Sequence, residues 1–67
     1  MKRTRIAAVL RHAAQHDGVS LLGIHAAISE LDAHDIADDV WRVFYAAEGA
    51  SVQATLLEAA RRVEAAS

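Results

Sequence analysis

Apolar residues recur every three or four positions along most of this chain, the spacing that places them on one face of an α-helix. Four stretches carry the pattern, and it predicts four short helices over residues 4–16, 21–31, 33–48 and 52–65. Proline is absent, and runs of β-branched or aromatic residues are short. We therefore expect an all-α fold, a small bundle of about four helices in a single domain spanning residues 1–67.

Helix-capping residues support these boundaries. A side chain that can accept a hydrogen bond from a free backbone N–H stands at the start of each predicted helix or directly before it: Thr4, Ser20, Asp32 and Ser51. Gly49 follows the third helix, and glycine readily takes the left-handed conformation that ends helices. The boundary between the second and third helices depends on Asp32 alone. One merged helix over residues 20–48 stays open as the alternative; it would be about 43 Å long and would require a dimer.

Every Phe, Tyr and Trp residue of the chain lies within residues 41–45, in the third predicted helix. Such side chains dominate both protein cores and interfaces. Phe44 shares an apolar stripe with Val40, and we expect it to be buried in the core. Trp41 and Tyr45 stand four positions apart and form a second ridge beside that stripe. The pattern leaves open whether this ridge is core or interface.

The interface interpretation is favoured by residue type and by chain length. Trp, Tyr and Arg are the commonest hot-spot residues of protein interfaces, and the candidate partner-binding residues are Trp41, Arg42, Tyr45 and Asp38. A chain of 67 residues buries only about 60% of its unfolded surface and is marginally stable alone. Sixteen of its apolar residues are alanine, which contributes little buried area. We therefore expect a homodimer that also binds another, larger protein.

Positive charge is concentrated at the N-terminus. Residues 1–16 carry a net charge of +4, and residues 17–48 carry −6. Basic residues oppose the dipole at a helix N-terminus, so we expect residues 1–5 to form a basic arm. Such an arm pairs with the acidic third helix, or contacts nucleic acid or an acidic partner. The candidate contact residues are Lys2, Arg3, Arg5 and Arg11.

The alternative function is a small DNA-binding transcriptional regulator of the helix-turn-helix type, which uses the basic arm. In that fold the second helix of the motif enters the major groove with its N-terminal residues against the bases. Here those positions hold Asp32, Asp35, Asp38 and Asp39. Because these carboxylates repel phosphate, a non-enzymatic protein-interaction module, a small adaptor or inhibitor, is the preferred hypothesis.

Residues suited to catalysis or metal binding are poorly arranged. His12 and His16 share one helical face, but a zinc site needs three or four ligands. Ser29 and His25 share another face, yet a serine within a helix lacks the exposed turn and oxyanion donors of a hydrolase. We expect no catalytic site, no metal and no cofactor.

Membrane and export signals are also missing from the pattern. No run approaches the ~18 consecutive apolar residues of a membrane span. The basic N-terminus is followed by an apolar run too short for a signal peptide. The chain has no cysteine, so it forms no disulfide bond. We expect a soluble cytoplasmic protein without membrane contacts.

Overall fold

The computed structural model describes residues 2–16, 21–47 and 49–66, and these residues form helices without any strand. The helices are α1 (Lys2–Gln15), α2 (Leu21–Glu30), α3 (His34–Ala46) and α4 (Val52–Ala65). The prediction of an all-α fold with separate second and third helices is thus confirmed. The Cα radius of gyration is 10.7 Å. Helices α1 and α4 share the most extensive contact, α3 packs against α4, and α2 makes smaller contacts with α1 and α3.

The core combines a few branched side chains with many alanines. Its largest fully buried side chains come from all four helices: Ile6, Leu10, Ile24, Ile36, Val40 and Val63. Ala7 on α1, and Ala59 and Ala60 on α4, are also fully buried. Alanine side chains occupy little volume, so α1 and α4 can approach each other closely. The alanine content therefore shapes the α1–α4 contact as well as favouring helices.

The chain turns at Asp32, but the prediction that Asp32 caps the start of α3 is wrong. Asp32 has a φ of 52°, the left-handed conformation found just after a helix ends. Its N–H donates to the Ser29 carbonyl at 3.1 Å, and the Ala33 N–H donates to the Ile28 carbonyl at 2.8 Å. This pair of bonds is the Schellman motif. Asp32 therefore ends α2, and buried Ala33 precedes α3 without a side-chain cap.

This assignment predicts the effect of glycine at position 32. Glycine has no Cβ and adopts a positive φ without steric cost. We expect Asp32→Gly to raise the free energy of unfolding by a few tenths to about 1 kcal/mol, measured by urea denaturation. The control is Asp35→Gly in the first turn of α3, which should lower it by roughly 0.5–1 kcal/mol. If Asp32→Gly instead lowers the free energy of unfolding by roughly a few tenths of a kcal/mol, Asp32 acts as a helix N-cap.

The other helix boundaries follow the predictions in part. Ser51 caps α4 as predicted, because its Oγ accepts from the Ala54 N–H at 3.1 Å. Gly49 has the expected positive φ, 76°, but it does not end the third helix as predicted, because α3 stops at Ala46 and Ala47 is its C-cap. Thr4 is not a cap; it lies inside α1, which begins at Lys2. Most of the predicted basic arm is therefore the first turn of a helix. The predicted cap at Ser20 lies outside the described residues.

Within the residues that the structure describes, no helix combines the length and the apolar character needed to cross a membrane.

Candidate functional site

One side of α3 faces the core and the other side faces solvent. The inward positions, spaced three or four apart, are Ile36, Val40 and Val43. The outward positions include Asp38, Trp41, Arg42 and Tyr45, which we call the α3 face. Asp38, Arg42 and Tyr45 are exposed, and Trp41 is half-buried. The structure thus places all four predicted partner-binding residues along one helix, away from its buried stripe.

Tyr45 and Trp41 have different environments. The Tyr45 side chain is 86% exposed, so it contributes little to the core. Trp41 is half-buried and packs against the core cluster. Its ring stacks on the His25 ring of α2, with ring centroids 4.4 Å apart and an interplanar angle of 28°. Trp41 is therefore held in place by the fold while one side stays accessible, and Tyr45 projects beside it.

The prediction that Phe44 is buried in the core is wrong in degree, because Phe44 is only half-buried. It lies at the edge of the buried stripe and packs on the side of Trp41, with ring centroids 5.5 Å apart. Val40 and Val43 occupy the centre of the stripe instead. Phe44 therefore joins the core to the α3 face.

A surface depression of about 260 Å³ lies beside the α3 face, lined by His25, Trp41, Phe44 and Tyr45. Ligand pockets usually enclose about 300–1,000 Å³, so this depression suits one inserted side chain better than a small molecule. The sequence pattern did not identify His25 as part of this surface. Its ring meets Trp41 across two helices, and such a contact leaves no periodic signal along the chain.

Basic residues at the start of α1 contact the rest of the chain. The Lys2 Nζ donates to the Asp32 carbonyl at 2.9 Å. The Arg3 guanidinium donates to the Asp39 carboxylate and to the Val63 carbonyl, each at 3.3 Å. The expected pairing between the basic N-terminus and the acidic third helix is thus observed within one chain. The charges of these basic residues oppose the helix dipole at the N-terminal end of α1. The contacts supply them with hydrogen-bond acceptors within the chain.

The remaining two predicted basic contact residues also lie on α1. Arg11 pairs with Glu64 on α4, and Arg5 is exposed. Three of the four candidate contact residues, Lys2, Arg3 and Arg11, therefore donate to acceptors of this same chain. A phosphate backbone would have to replace those contacts to gain the electrostatic attraction that drives nucleic-acid binding.

A second depression, of about 230 Å³, lies between the end of α3 and α4; half of its lining residues are alanines, and Glu58 and Arg62 also line it. The Glu58 carboxylate accepts hydrogen bonds from Arg61 at 2.7 Å and from Arg62 at 3.1 Å. The bond from Arg61, then that from Arg62, lowers the pKa of Glu58 from 4.5 to about 2. Both arginines can reach Glu58 because they stand three and four positions beyond it on α4.

This lowered pKa predicts a pH dependence. The folded pKa of Glu58 lies below its ordinary value, so these ion pairs contribute their full stability above about pH 4.5 and lose it as the pH falls towards about 2. We expect carboxyl NMR titration to give a Glu58 pKa near 2. Arg61→Gln should move this pKa back towards 4.5. A Glu58 carboxyl that titrates near 4.5 in the wild-type protein would contradict these contacts.

The ring centroids of His12, in the last turn of α1, and His16, directly after α1 ends, lie 4.2 Å apart. Among the residues described, no group of three or more His, Cys, Asp and Glu side chains is placed to hold a metal ion.

Comparison of the chain with known protein families, with curated proteins and with solved structures finds no match.

Proposed function

We propose that this chain is a non-enzymatic protein-interaction module, a small cytoplasmic adaptor or inhibitor that binds a larger protein through the α3 face. One observation carries the proposal: Tyr45 is 86% exposed beside half-buried Trp41, with the charged Asp38 and Arg42 next to them. Trp, Tyr and Arg dominate the binding energy of protein interfaces. An exposed tyrosine ring gains apolar burial only when something covers it.

The rigidity of the surface also supports the proposal. Trp41 stacks on His25 and makes a tilted contact with Phe44, and these contacts restrict the orientations of the indole before binding. A preorganised side chain loses less conformational entropy on association. The adjacent depression of about 260 Å³ can accept one side chain of a partner, which is how hot spots commonly pair.

We test this function by affinity capture from the source cells with three baits. The wild-type bait should retain a partner protein, and Tyr45→Ala should lose it. Leu57→Ala is the matched control, because Leu57 is a partly exposed (45%) apolar residue on α4 and is not part of the α3 face; this bait should retain the partner. Equal retention by all three baits would place the binding site elsewhere.

We also propose that the free protein is a homodimer. Large apolar side chains remain exposed on three helices: Leu22 on α2, Tyr45 on α3, and Val52 and Leu57 on α4. A domain of this size gains stability from burying part of such surface, here Tyr45, against a second copy. Light scattering over a dilution series should show dissociation, with a melting temperature that falls on dilution. A 7.2 kDa monomer with a constant melting temperature would contradict the dimer.

A further inference from the structure

We propose that the α3 face is the dimer interface, and that it meets the same face of a second copy about a two-fold axis. This inference rests on the homodimer proposed above and adds which residues form its interface. A two-fold interface is self-complementary: if one residue contacts a second, the second contacts the first across the axis. The α3 face must therefore carry both members of each pair.

Asp38 and Arg42 form such a pair. Both side chains are exposed, and they stand one helical turn apart with opposite charges. Consider two antiparallel α3 helices whose two-fold axis crosses them at the level of residue 40, midway between Asp38 and Arg42. Each Asp38 then faces Arg42 of the other copy. Two identical ion pairs result, and a guanidinium can bind a carboxylate through two parallel hydrogen bonds. In a parallel arrangement, Asp38 would instead face Asp38.

The aromatic residues extend the same contact. At helical spacing, Trp41 and Tyr45 lie along one edge of the strip that contains Asp38 and Arg42. The two-fold axis of the antiparallel pair places the Trp41 edge of one helix next to the Trp41 edge of the other. The two Trp41 rings therefore meet beside the axis. Each Tyr45 ring then lies over the first turn of α3 in the other copy. This arrangement covers the most exposed aromatic ring of the chain.

The dimensions of α3 suit this contact. The helix has 13 residues and is therefore about 20 Å long, and packed helix axes lie roughly 8–10 Å apart. Asp38, Trp41, Arg42 and Tyr45 all fall in the central and C-terminal part of that length.

Charge reversal tests the arrangement. In Asp38→Arg homodimers, arginine faces arginine, and in Arg42→Asp homodimers, aspartate faces aspartate. Each variant alone should raise the dimer dissociation constant at least about tenfold, because like charges brought together across an interface are strongly unfavourable. An equimolar mixture should form mixed dimers, in which both contacts again join opposite charges. Native mass spectrometry separates the mixed dimer from both homodimers by mass.

Two further variants control for net charge. Glu30→Arg on α2 and Arg5→Asp on α1 reverse exposed charges that border a different depression, between α1 and α2. Each variant, and their mixture, should dimerise like the wild-type protein, and circular dichroism should show the same helical signal in all variants. The chain has a single tryptophan, so Trp41 emission should shift to longer wavelength when the wild-type dimer is diluted.

The outcomes are distinguishable. A wild-type protein that is monomeric at every concentration overturns both the homodimer and this interface. A wild-type dimer whose charge-reversed variants dimerise normally leaves the homodimer standing and overturns the α3 interface. Single variants that fail to dimerise and are not rescued by mixing overturn the antiparallel pairing. Affinity capture tests the binding of a larger protein separately.

Discussion

Leu10→Ala is expected to unfold most of this protein, whereas Leu22→Ala leaves it folded. The two changes remove the same atoms from different environments, because Leu10 is fully buried and Leu22 is 76% exposed. Leu10 lies on α1, whose contact with α4 is the most extensive in the fold. Its loss leaves a cavity, and such changes cost roughly 3–5 kcal/mol. A domain of this size has a total stability of only about 5 kcal/mol.

The measurement is urea denaturation followed by circular dichroism, at a concentration low enough to keep the chain monomeric. Leu22→Ala should change the free energy of unfolding by less than about 0.5 kcal/mol, as is usual at the surface. A similar loss of stability in both variants would show that Leu22 is also buried in the monomer, contrary to its exposed position on α2.

The second large effect is expected at Tyr45, and on association instead of folding. Truncating an interface hot spot typically costs at least about 2 kcal/mol, roughly a thirtyfold loss in affinity. Tyr45→Ala should therefore weaken the dimer, measured by sedimentation equilibrium, by about that factor. Because its side chain is 86% exposed, the free energy of unfolding of the monomer should change by less than about 0.5 kcal/mol.

Neighbouring variants separate a folding effect from a binding effect. Phe44→Ala should lower the stability of the monomer, although by less than the roughly 3–5 kcal/mol of a fully buried aromatic, because Phe44 is half-buried. Leu57→Ala on α4 should leave the dimer unchanged. If Tyr45→Ala destabilises the monomer as much as Leu10→Ala does, then Tyr45 belongs to the core and the α3 face is not the interface.

Much of the local structure could be predicted from the sequence, because helix formation depends on short-range spacing. The four apolar stripes predicted four helices, and the cap at Ser51 and the left-handed Gly49 were correctly located. The spacing of the α3 face residues was also enough to place them on one side of a helix, since side chains three and four apart share one side of any helix. None of these inferences depends on which helices contact each other.

Contacts between helices were decided only by the tertiary structure. Asp32 precedes a helix, as an N-cap does, but the tight turn from α2 into α3 places it in a left-handed conformation instead. Phe44 and Tyr45 are both aromatic, yet Phe44 lies at the edge of the core and Tyr45 in solvent, because the packing of α3 against its neighbours buries the stripe of Val40 and Val43 instead.

The basic N-terminus shows the same division. The sequence by itself determined how many charges it carries and that they oppose the helix dipole. The tertiary structure decided that residues from Lys2 onward are helical, because Arg3 reaches Asp39 on α3 and Val63 on α4. Periodicity acts over a few residues, whereas these partners are 36 and 60 positions away along the chain. Only the packing of both α1 and α3 against α4 brings them together.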